Sequence, residues 1–296
     1  MTYSTGSSPN SLNAVDVNDD GKLDIIVVNY GSNNTGVLLN RGNGTFSAQT
    51  TYSTGAGPVE VAAADVNGDG KPDIIVANSV SNNVGVLLNI GNGTFSAQTT
   101  YSVGLWPGSV VAADVNGAVV AADVNGDGKP DIIVANFDSN NVGVLLNIGN
   151  STFLTQTTYL TDSGPAGMTA ADVNGDGKPD IIVPNLNSNN VGVLLNIGNG
   201  TFAAQKTYSS GSGPYSVAAA DINGDDKCDI IVANLNSNNV GVLLNIGNGT
   251  FVAEATYSTD SSPAYVVAAD VNGDGKPDII VANSGSNNIG VFLNYC

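Results

Sequence analysis

Histidine is missing from this chain, arginine occurs once, at Arg41, and lysine and arginine together number 8 against 26 aspartates and glutamates. With a formal charge of −18, the chain lacks the clustered cations that hold phosphates, which argues against nucleic acid and anionic lipid as partners. The commonest general base of enzymes is the residue it does not contain. Two cysteines, Cys228 and Cys296, are too few to staple a fold of 296 residues. No apolar run approaches the roughly 20 residues of a membrane-spanning helix. Nor is a signal peptide found: Met1 leads straight into Thr2-Tyr3-Ser4-Thr5-Gly6, already part of a repeat, so a leader has been removed or the sequence is a fragment. What is plentiful is turn chemistry, with 37 glycines and many Asn, Ser and Thr. The apolar 42% of the chain falls in short regular runs, the pattern of a packed fold and not of disorder.

Self-similarity dominates. The motif Asp-Val-Asn-Gly-Asp-Gly-Lys-Pro-Asp begins, with small variations, at Asp16, Asp65, Asp123, Asp172, Asp221 and Asp270. The period is 49 residues except between the second and third copies, where a nine-residue tandem duplication intervenes. Val110 to Ala118 reads VVAADVNGA, and Val119 restarts VVAADVNGD. An odd insertion inside a continuous strand would swap its core and solvent faces, so this one is expected to loop out.

Each repeat predicts four strands. In the second repeat, Val59 to Asp65 is small and apolar, as a crowded inner strand requires. Asp73 to Asn78 (DIIVAN) is a buried run, Val84 to Asn89 a third strand, and Phe95 to Ser102 alternates as a half-exposed outer strand. Four short antiparallel strands at this period are the pattern of a propeller blade. The expected fold is all-β: one domain over residues 1–296, a six-bladed β-propeller of four-stranded antiparallel blades. The last repeat stops after its third strand, Ile289 to Asn294, and the N-terminal TYSTG matches an outer strand. An N-terminal strand closing the last blade and covering its edge is therefore expected.

The Asp-rich segments carry the chemistry. In the second, Asp65, Asn67 and Asp69 place side-chain oxygens at alternate positions, Lys71 offers its backbone carbonyl, and Asp73 closes the set, while Gly70 permits a sharp turn. Hard oxygen donors in this order suit calcium; magnesium demands a tighter octahedron and keeps its waters. The donors recur as Asp16, Asn18, Asp20, Lys22 and Asp24, and as Asp123, Asn125, Asp127, Lys129 and Asp131. They recur again as Asp172, Asn174, Asp176, Lys178 and Asp180, as Asp221, Asn223, Asp225, Lys227 and Asp229, and as Asp270, Asn272, Asp274, Lys276 and Asp278. Three or more carboxylates crowded into each segment repel one another unless a cation intervenes. Up to six calcium ions are expected, the alternative of a metal-free Asx turn being poorer for six copies than for one. Asp19 replaces a glycine at a position that donates nothing. Asp226 occupies the turn position of the fifth segment, which should be the weakest site. The partial copy at Asp114 and Asn116 has Ala118 where a carboxylate is needed and is not a site.

The Asp-x-Asn-x-Asp-Gly-x-x-Asp loop, the DIIVAN strand after it and the Gly-x-Gly-Pro turn before its small-residue strand resemble the FG-GAP/VCBS repeats. These are the calcium-binding blades of integrin α-subunit propellers and of many extracellular microbial proteins. The resemblance covers essentially the whole chain. It implies that each acidic loop joins the first two strands of a blade and binds calcium on one face of a disc, and that the protein is extracellular or at the cell surface. Integrin propellers have seven blades and are followed by leg domains, so six copies without them carry over no integrin function.

Asn43, Asn92, Asn150, Asn199 and Asn248 begin N-x-[ST] sequons at one place in the blade, and Asn33 begins a sixth elsewhere. Asn-Gly is also a favoured hairpin turn, so these are glycosylation candidates on turns. Tyr52, Tyr101, Tyr159, Tyr208 and Tyr257 recur on the outer strand, as packing between blades would require. Cys228, at the start of a second strand, and Cys296, past the end of a third, fall on one face of adjacent blades and form a disulfide candidate, with free thiols or an intermolecular bridge as alternatives. No catalytic residue is identified, because the remaining acids Glu60, Glu254, Asp138, Asp162 and Asp260 neither recur nor pair. The expected function is a calcium-stabilised extracellular module, structural, adhesive or assembling at a surface, with a fibre subunit as the rival inside that class and a carbohydrate-binding lectin outside it. Its partner is an unknown protein or glycan, or a second copy in a filament.

Overall fold

The strand whose sequence shows no alternation explains the architecture. In the computed structural model, which describes residues 1–111 and 123–295, Asp73–Asn78 runs between Pro58–Ala64 and Asn83–Leu87, and Thr99–Ser102 adds outside Asn83–Leu87. The pairings are antiparallel, with Val61 opposite Val76, Val76 opposite Gly85 and Gly85 opposite Thr100. Successive side chains of Asp73–Asn78 leave opposite faces of the sheet, and both faces are covered. Ile74 and Val76 pack with Ile26 and Val28 of the preceding sheet and with Val17 of its first loop, whereas Ile75 and Ala77 pack with Val110, Ile132 and Val134 of the following sheet. All four are fully buried. A continuous apolar run is thus the middle of a stack of sheets, where alternation has nothing polar to reveal it.

The same sheet recurs. Blade 1 is Pro9–Val15, Asp24–Asn29, Asn34–Leu38 and Thr50–Ser53, and blade 2 is the sheet above. Blade 3 is Pro107–Val111, Ile132–Asn136, Asn141–Leu145 and Thr157–Leu160. Blade 4 is Thr169–Ala171, Asp180–Asn185, Asn190–Leu194 and Lys206–Ser209, and blade 5 is Pro214–Ala220, Asp229–Asn234, Asn239–Leu243 and Ala255–Ser258. Blade 6 has three strands, Pro263–Ala269, Asp278–Asn283 and Asn288–Phe292. The fold is an all-β, six-bladed propeller of mostly four-stranded antiparallel sheets. Two compact units divide it, Met1–Thr158 and Tyr159–Cys296.

Within each unit the blades are tied by three repeated contacts. In the first, Tyr52 lies edge-on to Phe95 with ring centroids 5.5 Å apart and donates its hydroxyl to the Gly93 carbonyl at 3.4 Å. Asn89 Nδ2 donates to the Val17 carbonyl at 2.9 Å, and Gly57 N–H to Asn33 Oδ1 at 2.8 Å. In the second unit Tyr208 stacks on Phe251, Asn245 Nδ2 reaches the Val173 carbonyl, and Gly213 N–H reaches Asn189 Oδ1. The recurring tyrosines therefore pack between blades, as their spacing implied.

Two segments differ from expectation. The outer strand does not run unbroken from Phe95 to Ser102, because Asn89–Gly91 and Thr94–Phe95 form a hairpin of their own and Thr99–Ser102 alone joins the main sheet. A polar bridge fills the break: Leu88 N–H donates to Ser96 Oγ at 3.0 Å, and the Gln98 amide lies where a Cβ on Gly85 would be. At the other end, residues 1–8 form no strand and blade 6 keeps three, so among the described residues the N-terminal strand expected to close the last blade is not part of a sheet. The N-terminal segment is held on blade 1 instead. Tyr3 packs edge-on to Phe46 at 5.7 Å, and Gly6 N–H donates to Asn29 Oδ1 at 3.0 Å. In blade 6, Ile289 is 70% exposed, whereas its blade 5 counterpart Val240 is 0% exposed. From position 112 on, the duplicated segment and its expected loop lie outside the described residues.

Candidate metal centres

Each acidic segment joins the first strand of a blade to the second. In blade 2, Asp65 follows Pro58–Ala64 and Asp73 opens Asp73–Asn78. The loop winds around Asp65, whose Oδ1 accepts the N–H groups of Gly68 at 2.7 Å and Asp69 at 3.1 Å and whose Oδ2 accepts that of Gly70 at 2.7 Å. Asn67 Oδ1 accepts Asp69 N–H at 2.8 Å, and Asp69 Oδ1 accepts Lys71 N–H at 3.0 Å. This winding needs positive φ at two positions, Gly68 and Gly70, each at +81°. Sequence reasoning found the second and missed the first. Asp19 and Asp226, which replace glycines at these two positions, are both at φ +61°.

Asp73 is placed differently. It is buried, its Oδ2 accepting Val66 N–H at 3.1 Å and its Oδ1 accepting Asn89 N–H at 2.7 Å. Burial pushes its pKa up to about 6, against the two amides and aided by the charges of Asp65 and Asp69. Asp131 and Asp180 are pushed to about 6 by the same causes, and burial also raises Asp24 and Asp229. The exposed fifth position leans the other way. The hydrogen bond from Lys178 holds Asp176 below the usual carboxylate range, with Nζ to Oδ2 at 2.8 Å. Lys22, Lys71, Lys129 and Lys227 pair likewise with Asp20, Asp69, Asp127 and Asp225. Only the lysine carbonyls were anticipated from sequence; the ammonium groups add an internal counter-charge.

The pattern of blade 2 holds in the other loops. Asp16, Asp123, Asp172, Asp221 and Asp270 accept the corresponding backbone N–H groups, as do Asn18, Asn125, Asn174, Asn223 and Asn272. Asp20, Asp127, Asp176, Asp225 and Asp274 accept the N–H of Lys22, Lys129, Lys178, Lys227 and Lys276. Asp24, Asp131, Asp180, Asp229 and Asp278 each hold the amide on the far side of the loop. Among the described residues no three acidic side chains converge as a cage. The donor chemistry nevertheless fits a hard divalent cation, because Asp65 Oδ2, Asn67 Oδ1 and Asp69 Oδ2 each accept one hydrogen bond and keep a lone pair to give. In five of the loops one ammonium pairs with one of three or four carboxylates, and among the described residues the buried carboxylate has no ion-pair partner.

The model of the FG-GAP-like repeat matches residues 16–76, 65–117, 123–183, 185–232 and 221–281. The chain belongs to the FG-GAP-like repeat family. Solved structures share the propeller fold. A putative 6-phosphogluconolactonase from Bacteroides uniformis is 18% identical with a TM-score of 0.71, the match covering 98% of this chain and 82% of that one. An Agrocybe aegerita lectin that recognises non-reducing terminal N-acetylglucosamine is 23% identical with a TM-score of 0.61, over 97% and 81%. A virginiamycin B lyase from Staphylococcus aureus is 14% identical with a TM-score of 0.66, over 98% and 82%. No curated protein matches the sequence. Lyases, a lactonase and a lectin on one fold show that the propeller fold alone assigns no activity.

Other candidate residues of this FG-GAP-like chain occupy distinct places. Asn43, Asn92, Asn150, Asn199 and Asn248 are exposed at hairpin tips, the last four at φ between +51° and +54°. Asn33 is already engaged by Gly57, and Thr35 of its sequon is buried and donates to the Val27 carbonyl. Cys228 is half-buried, and burial, with the charges of Asp229, Asp172 and Asp221, pushes its thiol up to about 11; Cys296 lies outside the described residues, and the disulfide candidate with it. The scattered acids are held separately: Glu60 accepts Val110 N–H, Glu254 accepts Asn234 Nδ2, and Asp162 and Asp260 accept Asn190 and Asn288 Nδ2. Among the described residues no helix is long and apolar enough to cross a membrane.

Proposed function

We propose that the chain is a calcium-stabilised extracellular β-propeller that serves as a structural, adhesive or surface-assembly module and not as an enzyme. The observation that carries this reading is the sixfold recurrence of one loop, in which backbone amides wrap the first aspartate while the last is buried. Asp65, Asn67, Asp69, the Lys71 carbonyl and Asp73, with their counterparts, would hold calcium, and the ion would supply the positive charge that each loop lacks. The acids outside the loops are dispersed, with Glu60, Glu254, Asp162 and Asp260 each on its own amide, an arrangement without the paired groups of acid–base catalysis.

Thermal melts in calcium and in chelator test the reading. At free calcium ten times Kd each site adds about 1.4 kcal/mol by mass action, roughly 8 kcal/mol for six, which is comparable to the whole stability of an ordinary domain. Chelation is expected to lower the melting temperature sharply and magnesium to restore it poorly; an unchanged melt overturns the metal assignment. Within the same class, one observation favours a fibre subunit. The third strand of blade 6, Asn288–Phe292, pairs on one side only among the described residues. A strand from a second molecule would extend that sheet head to tail. Electron micrographs showing single particles at every concentration would remove the fibre.

A further inference from the structure

One turn departs from the repeat. The residue before Pro9, Pro58, Pro107, Pro165, Pro214 and Pro263, which open the first strand in five blades and precede it in blade 4, has positive φ every time: Ser8, Gly57, Trp106, Gly164, Gly213 and Ser262. Glycine or serine meets this demand in five blades. In blade 3 the position holds the only tryptophan of the chain, at φ +49°, where a bulky side chain is an outlier. Packing does not account for it, because Trp106 is 42% exposed and its neighbour Leu105 57% exposed. The turn is nonetheless fixed. Trp106 N–H donates to Asn82 Oδ1 at 2.9 Å, Phe137 N–H to the Trp106 carbonyl at 3.0 Å and Leu105 N–H to Ser139 Oγ at 2.7 Å. Asp138 N–H donates to the Leu105 carbonyl at 3.3 Å, which ties the backbone of this exposed acidic residue to the pair. Backbone strain kept for the sake of an exposed side chain points to a ligand.

We propose that Leu105, Trp106 and Asp138 form a binding site for a neutral saccharide, a function beyond the calcium scaffold and independent of it. A pyranose ring has one face of C–H groups and a rim of hydroxyls. The flat indole and Leu105 take the C–H face, and Asp138, which has no ion-pair partner among the described residues, accepts hydroxyl hydrogens. An anionic ligand would meet that carboxylate and a chain of formal charge −18. A cationic one is best held by a cage of several aromatic faces, and this turn presents a single indole.

Because Trp106 is the only tryptophan, its emission reports occupancy directly. The calcium-saturated chain titrated with maltotriose, chitotriose or mannotriose is expected to give a saturable change in emission with at least one of them. By calorimetry with that sugar, Trp106→Gly should weaken binding by roughly thirtyfold or more, the loss typical of a truncated aromatic anchor, while melting no lower than the parent. Asp138→Asn should weaken it by about tenfold, as loss of a charged hydrogen-bond acceptor does. The proposal is overturned if no saccharide alters the emission, if oligolysine does so in their place, or if Trp106→Gly lowers the melting temperature and the indole is thereby a packing group.

Discussion

At the scale of single residues, the closing aspartates carry a pH signature. Their ordinary pKa is 3.8, and burial raises Asp73, Asp131 and Asp180 to about 6. Between those values the folded chain binds more protons than the unfolded one, so the stability they contribute is full below the lower value and is lost as pH rises through the upper. In chelator the melting temperature is expected to fall as pH is raised from 4 to 7 across that window, and saturating calcium should cancel the trend. A metal-free melt that climbs with pH would contradict the burial of these charges. Asp226 makes a second case. At φ +61° it occupies a position where glycine costs nothing, so Asp226→Gly should stabilise the chain by about 1 kcal/mol in urea denaturation; a loss would mean that its carboxylate makes a contact worth more than the strain. The donors of these loops were legible because ligand chemistry fixes residue type. Gly68 and the lysine ammonium groups were not, since a backbone dihedral and a side-chain direction leave no mark on donor spacing.

At the scale of elements, DIIVAN of the second repeat was read to its ends, Asp73 and Asn78, because Pro72 precedes it and turn residues follow. The outer strand was misread as continuous. Its apparent alternation from Phe95 to Ser102 runs through Ser96 and Gln98, which face the third strand with hydrogen bonds and bulk and not as ladder partners. Asn89 shows what pattern reasoning loses most easily. It reads as the tail of a third strand, yet its side chain donates to the Val17 and Pro72 carbonyls and accepts Gly91 N–H while almost wholly buried. Asn89→Ala should cost about 2–3 kcal/mol in denaturant titrations, the penalty for carbonyls left unpaired in the interior. A cost near zero would mean that water enters and replaces the amide.

At the scale of the molecule, the number of blades and the all-β class were legible because the repeat states them six times. The conformation of the first residues was not, because TYSTG matches an outer strand equally well whether it pairs in a ladder or rests on Phe46. Deleting Val110 to Ala118 restores the period, since Val119 onward repeats the same residues, and the shortened chain should melt at the parent temperature or above; failure to fold would show that the duplication is structural. The three ties between blades have a consequence for how the molecule opens. Each joins a blade to the next one along the chain, as Asn89 joins blade 2 to blade 1. Cohesion of this kind is one-dimensional, summed over neighbours in a row. Unfolding then becomes an unzipping, and amide exchange should grade along the row: the exposed strand Asn288–Phe292 takes up deuterium first, and Ile74–Ala77, clasped between two sheets, takes it up last.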